Sequence, residues 1–214
     1  MRNLEAGRET MISRDLAGRG VSDPAVLAAM RVVPREEFVP VELKDQAYED
    51  YPLPIDEGQT ISQPYIVAYM AECLELSPSD RVLEIGTGSG YSAAVLSRIA
   101  AEVYSVERFA GLAHSAGERL AKLGYDNIRI LVGDGTLGWP GHAPYDAIIV
   151  TAGAPKVPKP LLEQLAVGGR LLLPVGPDRL GQTLIRVRRE NEKEYREERL
   201  LAVQFVPLVG AEGW

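Results

Sequence analysis

Cysteine occurs once in these 214 residues, at Cys73, so no internal disulfide can brace the fold. Cys73 falls among Ile66, Met70 and Leu74 at helical spacing, the setting of a small buried apolar group rather than a reactive thiol. Histidine is nearly as scarce. His114 lies in a helical run and His142 follows Trp139-Pro140-Gly141 in a loop, and with a single cysteine they are too few and too dispersed for a structural zinc site. A Ser-His-Asp hydrolase is excluded on similar grounds, because Ser62 is not in a G-x-S-x-G elbow and neither histidine has a triad setting.

Positive charge is also short. Lys and Arg number 23 against 30 Asp and Glu, a formal net charge of −7 with no basic stripe to neutralise a phosphate backbone, so nucleic acid is excluded as a partner. The densest charge run, 186–199, reads as a solvated strand-and-turn region. Long apolar runs are missing too: none approaches the roughly 20 residues needed to span a bilayer, so no membrane association is expected. The opening Met1-Arg2-Asn3-Leu4-Glu5 lacks the apolar core of a signal peptide, and the expected location is the cytoplasm. What remains is a hydrophobic content of 46% and a charged content of 25%, ordinary for a folded globular chain, with no internal repeat.

The length suits one domain over residues 1–214, with residues 1–63 forming an N-terminal helical extension and an adjoining loop within it. Asp23-Pro24 starts a helix through residue 30, and Val33-Pro34 ends it. Pro52, Pro54 and Gly58 make 51–63 a structured loop, and Pro64 opens an amphipathic helix that stops before Ser77-Pro78. Beyond it apolar runs alternate with helical patterns: strands over 82–85, 102–106, 128–132, 145–150 and 170–175, helices over 92–99, 112–123 and 160–165. Such alternation predicts an α/β fold with a doubly wound, mostly parallel sheet. Residues 182–188 and 200–208 read as a terminal antiparallel pair of strands.

Chemistry concentrates at Val82-Leu83-Glu84-Ile85-Gly86-Thr87-Gly88-Ser89-Gly90-Tyr91, where an apolar strand breaks into three alternating glycines and resumes as a helix. Glycine there permits positive φ and lets a ligand approach bare backbone, while the helix start offers unpaired N–H groups. The spacing is G-x-G-x-G rather than the dinucleotide fingerprint G-x-G-x-x-G, and a tight strand-to-helix turn is the lesser alternative that the motif alone leaves open. The acids at the next strand ends favour a ligand. Glu107 follows Gly90 by 17 residues, near the separation of a carboxylate that accepts ribose hydroxyls. Asp134, between Gly133 and Gly135, is placed to accept an exocyclic amine such as that of adenine, although a turn aspartate would look the same. No P-loop lysine accompanies the glycines, so a phosphate-free, cationic ligand fits better, and S-adenosylmethionine has that chemistry.

The run from Val82 to Tyr91 resembles motif I of class I methyltransferases. Gly58-Gln59-Thr60-Ile61-Ser62-Gln63-Pro64-Tyr65 resembles the signature loop of protein-L-isoaspartate (D-aspartate) O-methyltransferases, and the likeness continues through Gly133-Asp134-Gly135, 145–152, Gly168-Gly169-Arg170-Leu171 and Phe205-Val206-Pro207-Leu208. The resemblance implies a Rossmann-like methyltransferase that moves a methyl group from S-adenosyl-L-methionine to the free carboxylate of isoaspartyl residues in proteins and peptides. The ester then closes to a succinimide and reopens partly as normal aspartate, which is repair. By motif, Ser62 matches the active-site serine; Thr60, Ile61, Glu84, Gly86, Thr87, Gly88, Gly90 and Glu107 match the cofactor cradle; Asp134 and Gly135 match the adenine contact. The alternatives are a methyltransferase for another substrate and a catalytically silent cofactor-binding module, neither of which needs the loop around Ser62.

A carboxylate of ordinary pKa near 4 is already ionised at neutral pH, so the implied reaction needs positioning rather than a strong base. Ser62 is expected to donate a hydrogen bond to the carboxylate, not to act as a nucleophile, and a monomer is expected. Asp56 stands where relatives more often have glycine, and Tyr65 where some carry histidine.

Overall fold

The computed structural model describes residues 4–178 and 181–214. Two short strands, β1 (Leu53–Pro54) and β2 (Thr60–Ile61), pair antiparallel ahead of the main sheet. Seven strands then make that sheet: β3 (Arg81–Ile85), β4 (Glu102–Glu107), β5 (Ile128–Val132), β6 (Tyr145–Val150), β7 (Leu165–Val175), β8 (Gln182–Arg189) and β9 (Tyr195–Val203). Their order is β5-β4-β3-β6-β7-β8-β9, parallel as far as β7 and antiparallel across β8 and β9. The strand order reverses at β3, which pairs with β4 on one side and β6 on the other. A crevice therefore opens beyond the carboxyl end of β3, where open α/β sheets collect ligands.

Alternate side chains of each central strand enter opposite cores, as a sheet covered on both faces requires. Val82, Val103, Ala147, Ile149 and Leu172 belong to the core shared with the N-terminal helices, while Leu83, Ile85, Val106, Ile148 and Leu171 belong to the other. The helices are α1 (Leu4–Thr10), continued by a π-helical turn Met11–Leu16, then α2 (Pro24–Val32), α3 (Pro64–Cys73), α4 (Tyr91–Ser97), α5 (Ala110–Lys122) and α6 (Lys159–Gln164). Asp23 caps α2 by accepting the amides of Ala25 and Val26, and Pro24 occupies a first-turn position where a missing N–H costs nothing. Met11, Leu16, Val26 and Met30 bury the extension against the same core as α3 and α4. Among the described residues no helix is long and apolar enough to cross a membrane.

Two elements differ from expectation. β7 begins at Leu165, where helical patterning was expected to end, and a register shift between Tyr145 and Ala147 of β6 accommodates the extra residues. The last strand is Tyr195–Val203, not 200–208. Beyond Val203 the chain is pulled out of the sheet: the Phe205 amide donates to Gln182 Oε1 at 2.7 Å, the Gly153 amide to Val206 O at 2.8 Å, and the Leu208 amide to Gly153 O at 2.7 Å. Residues 204–208 thus cross the carboxyl end of the sheet beside the crevice.

Candidate active site

Beyond β3 the chain turns on three glycines in the left-handed region, Gly86 (φ 99°), Gly88 (φ 52°) and Gly90 (φ 88°). A Cβ on Gly86 would overlap the Thr151 hydroxyl, which itself donates to Gly86 O at 2.9 Å. Bare backbone is therefore what this turn presents to the crevice. Glu107, at the end of β4, fixes the turn from the side: its Oε2 accepts the Gly88 amide at 2.9 Å and its Oε1 the Phe109 amide at 3.0 Å. A carboxylate has about four acceptor positions, so about two remain for a ligand's hydroxyls.

Glu84 lies beneath the turn, fully buried in β3, where its Oε2 accepts the Ser105 hydroxyl at 2.6 Å. Burial pushes its carboxyl up to about 7, against the lowering effect of the Ser105 and Ser92 hydroxyls. Thr87 Oγ1 is 2.6 Å from the same Ser105 hydroxyl, joining the floor to the turn. Asp134, past the end of β5, accepts the Thr136 amide at 2.9 Å and hydroxyl at 2.7 Å on Oδ1, and the Ala211 amide at 2.8 Å on Oδ2. Burial alone would raise its carboxyl; the Ala211 and Thr136 hydrogen bonds and the charge of Arg108 together hold it below its usual value. About one acceptor position is left.

The loop carrying Ser62 also lines the crevice. Asp50 braces it, accepting Gln63 Nε2 at 2.7 Å on Oδ2 and the Tyr65 amide at 3.0 Å on Oδ1. Arg19 pairs with Asp50 at 2.6 Å and its guanidinium sits 3.6 Å from the Tyr65 ring centroid. From below, Arg35 Nη2 donates to the Ser62 carbonyl at 2.8 Å. Among the described residues Ser62 Oγ has no hydrogen-bond partner, so its donor is available within the crevice.

A cavity of about 770 Å³ joins these groups, within the range of sites for drug-sized ligands. Thr60, Ile61, Ser62, Gly86, Thr87, Gly88, Glu107 and Gly135 all line it, as do Phe205 and Val206 of the crossing segment. Glu84, Gly90 and Asp134 stand behind the wall rather than on it. A Cβ on Gly135 would overlap Ile85, so the glycine keeps that wall flat. The donor set fits S-adenosylmethionine: exposed glycine backbone, a carboxylate with free acceptor positions, and apolar surface from Ile85, Val106 and Ile149. One cation lines the cavity that the sequence reading did not single out, Arg108, whose guanidinium lies 5.2 Å from the Phe109 ring centroid. Arg35, Asp50 and Gln182 were also missed. Among the described residues no cluster of His, Cys, Asp and Glu could hold a metal, and burial raises the pKa of the Cys73 thiol outside the cavity.

The sequence model of protein-L-isoaspartate(D-aspartate) O-methyltransferases matches residues 6–213. The chain belongs to that family. It is 70% identical over its whole length to protein-L-isoaspartate O-methyltransferase 2 of Pelobacter propionicus, covering 95% of that protein. It is 66% identical, again over its whole length, to protein-L-isoaspartate O-methyltransferase 1 of Geotalea uraniireducens, covering 98% of it. Among solved structures, a protein-L-isoaspartate O-methyltransferase superposes with a TM-score of 0.85 at 33% identity, over 96% of this chain and 67% of that one. A family member from Plasmodium falciparum, solved in complex with S-adenosyl-L-homocysteine, superposes with a TM-score of 0.82 at 27% identity, over 94% of this chain and 98% of that one. The cofactor is S-adenosyl-L-methionine.

Proposed function

We propose that the chain methylates the free carboxylate of L-isoaspartyl and D-aspartyl residues in damaged proteins and peptides, the step that initiates their repair. The observation that carries this reading is that the family-specific loop bearing Ser62 and the glycine turn Gly86–Gly90 meet in one cavity. S-Adenosylmethionine, when bound, supplies an electrophilic methyl group on a sulfonium. In our reading Gly86, Thr87 and Gly88 hold it through backbone, and Glu107 accepts its ribose hydroxyls with the acceptor positions that Gly88 and Phe109 leave open. Gly135 provides the flat wall for adenine, and Asp134 offers its remaining acceptor position to the exocyclic amine. Thr60 and Ile61 close the cradle from the substrate side.

The acceptor carboxylate is ionised at neutral pH, so no residue has to remove a proton from it. The chain's contribution is placement. Ser62 Oγ–H donates to one carboxylate oxygen and leaves the other free to face the methyl group, while Val67, Met70 and Phe205 exclude water from the reacting groups. Orientation of this sort accounts for large accelerations without a nucleophile on the enzyme.

The test is transfer of labelled methyl from S-adenosylmethionine to an isoaspartyl peptide, compared with its normal aspartyl isomer. Labelling of the isoaspartyl form alone is expected; equal labelling of both, or of neither while the cofactor binds, defeats the assignment. Action as a monomer in the cytoplasm is part of the same proposal, checked by sedimentation and by cell fractionation.

A further inference from the structure

We infer that Arg35 is a positioning residue for methyl transfer, its buried guanidinium fixing the backbone of Ser62 against the helix that follows the glycine turn. This rests on the reading of Ser62 as the group that orients the substrate carboxylate. Arg35 begins the 3-10 turn Arg35–Glu37 and is fully buried, an uncommon place for an arginine, which is normally paired with a carboxylate when it is taken out of water. Among the described residues it forms no ion pair. Its acceptors are two backbone carbonyls: Nε donates to Ala47 O at 2.7 Å and Nη2 to Ser62 O at 2.8 Å. The guanidinium lies over the ring of Tyr91, 4.8 Å from its centroid, and Nη1 has no hydrogen-bond partner.

That arrangement is costly for stability alone. Burial lowers the pKa of the guanidinium, and an apolar side chain of similar volume would fill the space without leaving a donor unsatisfied. What an apolar side chain cannot do is donate to two carbonyls while lying over a ring. The three partners come from separate stretches: the end of the turn Val41–Gln46, the loop of Ser62, and the first residue of α4. Two of them, Ser62 and Tyr91, line the cavity. Arg35 therefore references the loop that carries the substrate-orienting hydroxyl to the helix that starts where the cofactor turn ends. Lysine cannot replace it, because an ammonium lacks the planar fork that serves two fixed acceptors and a ring together.

The experiment compares the full chain with Arg35→Lys and Arg35→Gln in steady-state methylation of an isoaspartyl peptide, with calorimetric binding of S-adenosylhomocysteine in parallel. The expected result is a kcat/KM for peptide lowered about tenfold in the lysine variant and about a hundredfold in the glutamine variant, with S-adenosylhomocysteine affinity within about threefold of the parent. Unchanged peptide kinetics in a folded variant would overturn the proposal, as would a matching loss of S-adenosylhomocysteine affinity, the mark of a structural role. Ser62→Ala separates the two readings. If it leaves methylation unchanged, the role of Ser62 fails; if it lowers methylation while Arg35→Lys does not, only the role of Arg35 fails. A nitrogen resonance measurement on the parent protein covers variants that do not fold: the Arg35 Nε–H signal should shift when the isoaspartyl peptide binds, and a signal indifferent to peptide overturns the proposal.

Discussion

The Ser105 hydroxyl donates to the Glu84 carboxyl at 2.6 Å directly under the glycine turn, with both side chains fully buried. Glu84 has Ile149 of β6 beside it on one strand and Ser105 of β4 on the other, and Glu107 is the charge that acts on it. With its carboxyl raised to about 7 from an unfolded value of about 4.5, the folded chain binds a proton that the unfolded chain lacks between those values. The sign follows. Stability from this group is fully present below about pH 4.5, falls as pH rises, and is lost above about pH 7, a change on the order of 3 kcal/mol. Glu84→Gln stays neutral and still accepts from Ser105. It should match the parent in urea unfolding near pH 4 and exceed it at pH 8; parallel stability curves across that range would refute the assignment.

Glu107 carries a second prediction. Each oxygen already accepts a backbone amide, from Gly88 and from Phe109, so a glutamine there would set an NH2 group against one of those amides. Glu107→Gln is thus no isostere, and Glu107→Ala removes both acceptors. Both should weaken S-adenosylhomocysteine by about 10- to 100-fold, the range for lost charge-assisted hydrogen bonds. Calorimetry that finds no loss for the alanine variant would exclude the ribose role.

At Asp134 the prediction is double, because its carboxylate holds the C-terminal turn through the Ala211 amide and also adjoins Gly135, which lines the cavity and is proposed to face adenine. Asp134→Ala should speed amide exchange at Ala211 and weaken S-adenosylhomocysteine together. Removing residues 210–214 while keeping Asp134 tells the two apart. If the truncated chain binds as weakly as the alanine variant, the tether accounts for the effect; if it binds like the parent, the carboxylate contacts the ligand.

The parts of this molecule with a local signature were legible in advance. Three glycines after Val82-Leu83-Glu84-Ile85 announce a strand-to-helix turn, and the acids Glu107 and Asp134 announce the ends of neighbouring strands, because strand, turn and helix periods are properties of adjacent residues. Arg35 has no such signature. In Val33-Pro34-Arg35-Glu36-Glu37 it reads as one more solvated charge, and only the loop folded over it 27 residues later buries it. Phe205, Val206 and Leu208 fail for the opposite reason. Their apolar pattern continues that of β9, and what ends the strand is a distant side chain, Gln182, capturing the Phe205 amide. Long-range polar contacts leave no period in the sequence, and in this chain they shape the cavity where Ser62 and Phe205 line it.

Gln182 and Gly153 together set where that crossing segment lies, which gives the last prediction. Gly153 exchanges backbone hydrogen bonds with Val206 and Leu208, and its carbonyl also accepts Trp214 Nε1 at 3.0 Å. A Cβ on Gly153 would stand 2.8 Å from Gln182 Cδ, and Gln182 is buried and held by the Phe205 amide, so it cannot swing aside without releasing Phe205. Gly153→Ala should therefore shift Phe205 and Val206, which line the cavity, while leaving the glycine turn and Glu107 in place. The expected kinetic result is a KM for isoaspartyl peptide raised about tenfold with S-adenosylhomocysteine affinity little changed, since displacements of this size at a positioning wall cost one to two orders of magnitude. Gln182→Ala, which makes room for the new methyl group but loses the Phe205 acceptor, should not restore the parent KM when combined with Gly153→Ala. Full restoration in the double variant would show that the clash alone, and not the hold on Phe205, governs the substrate wall.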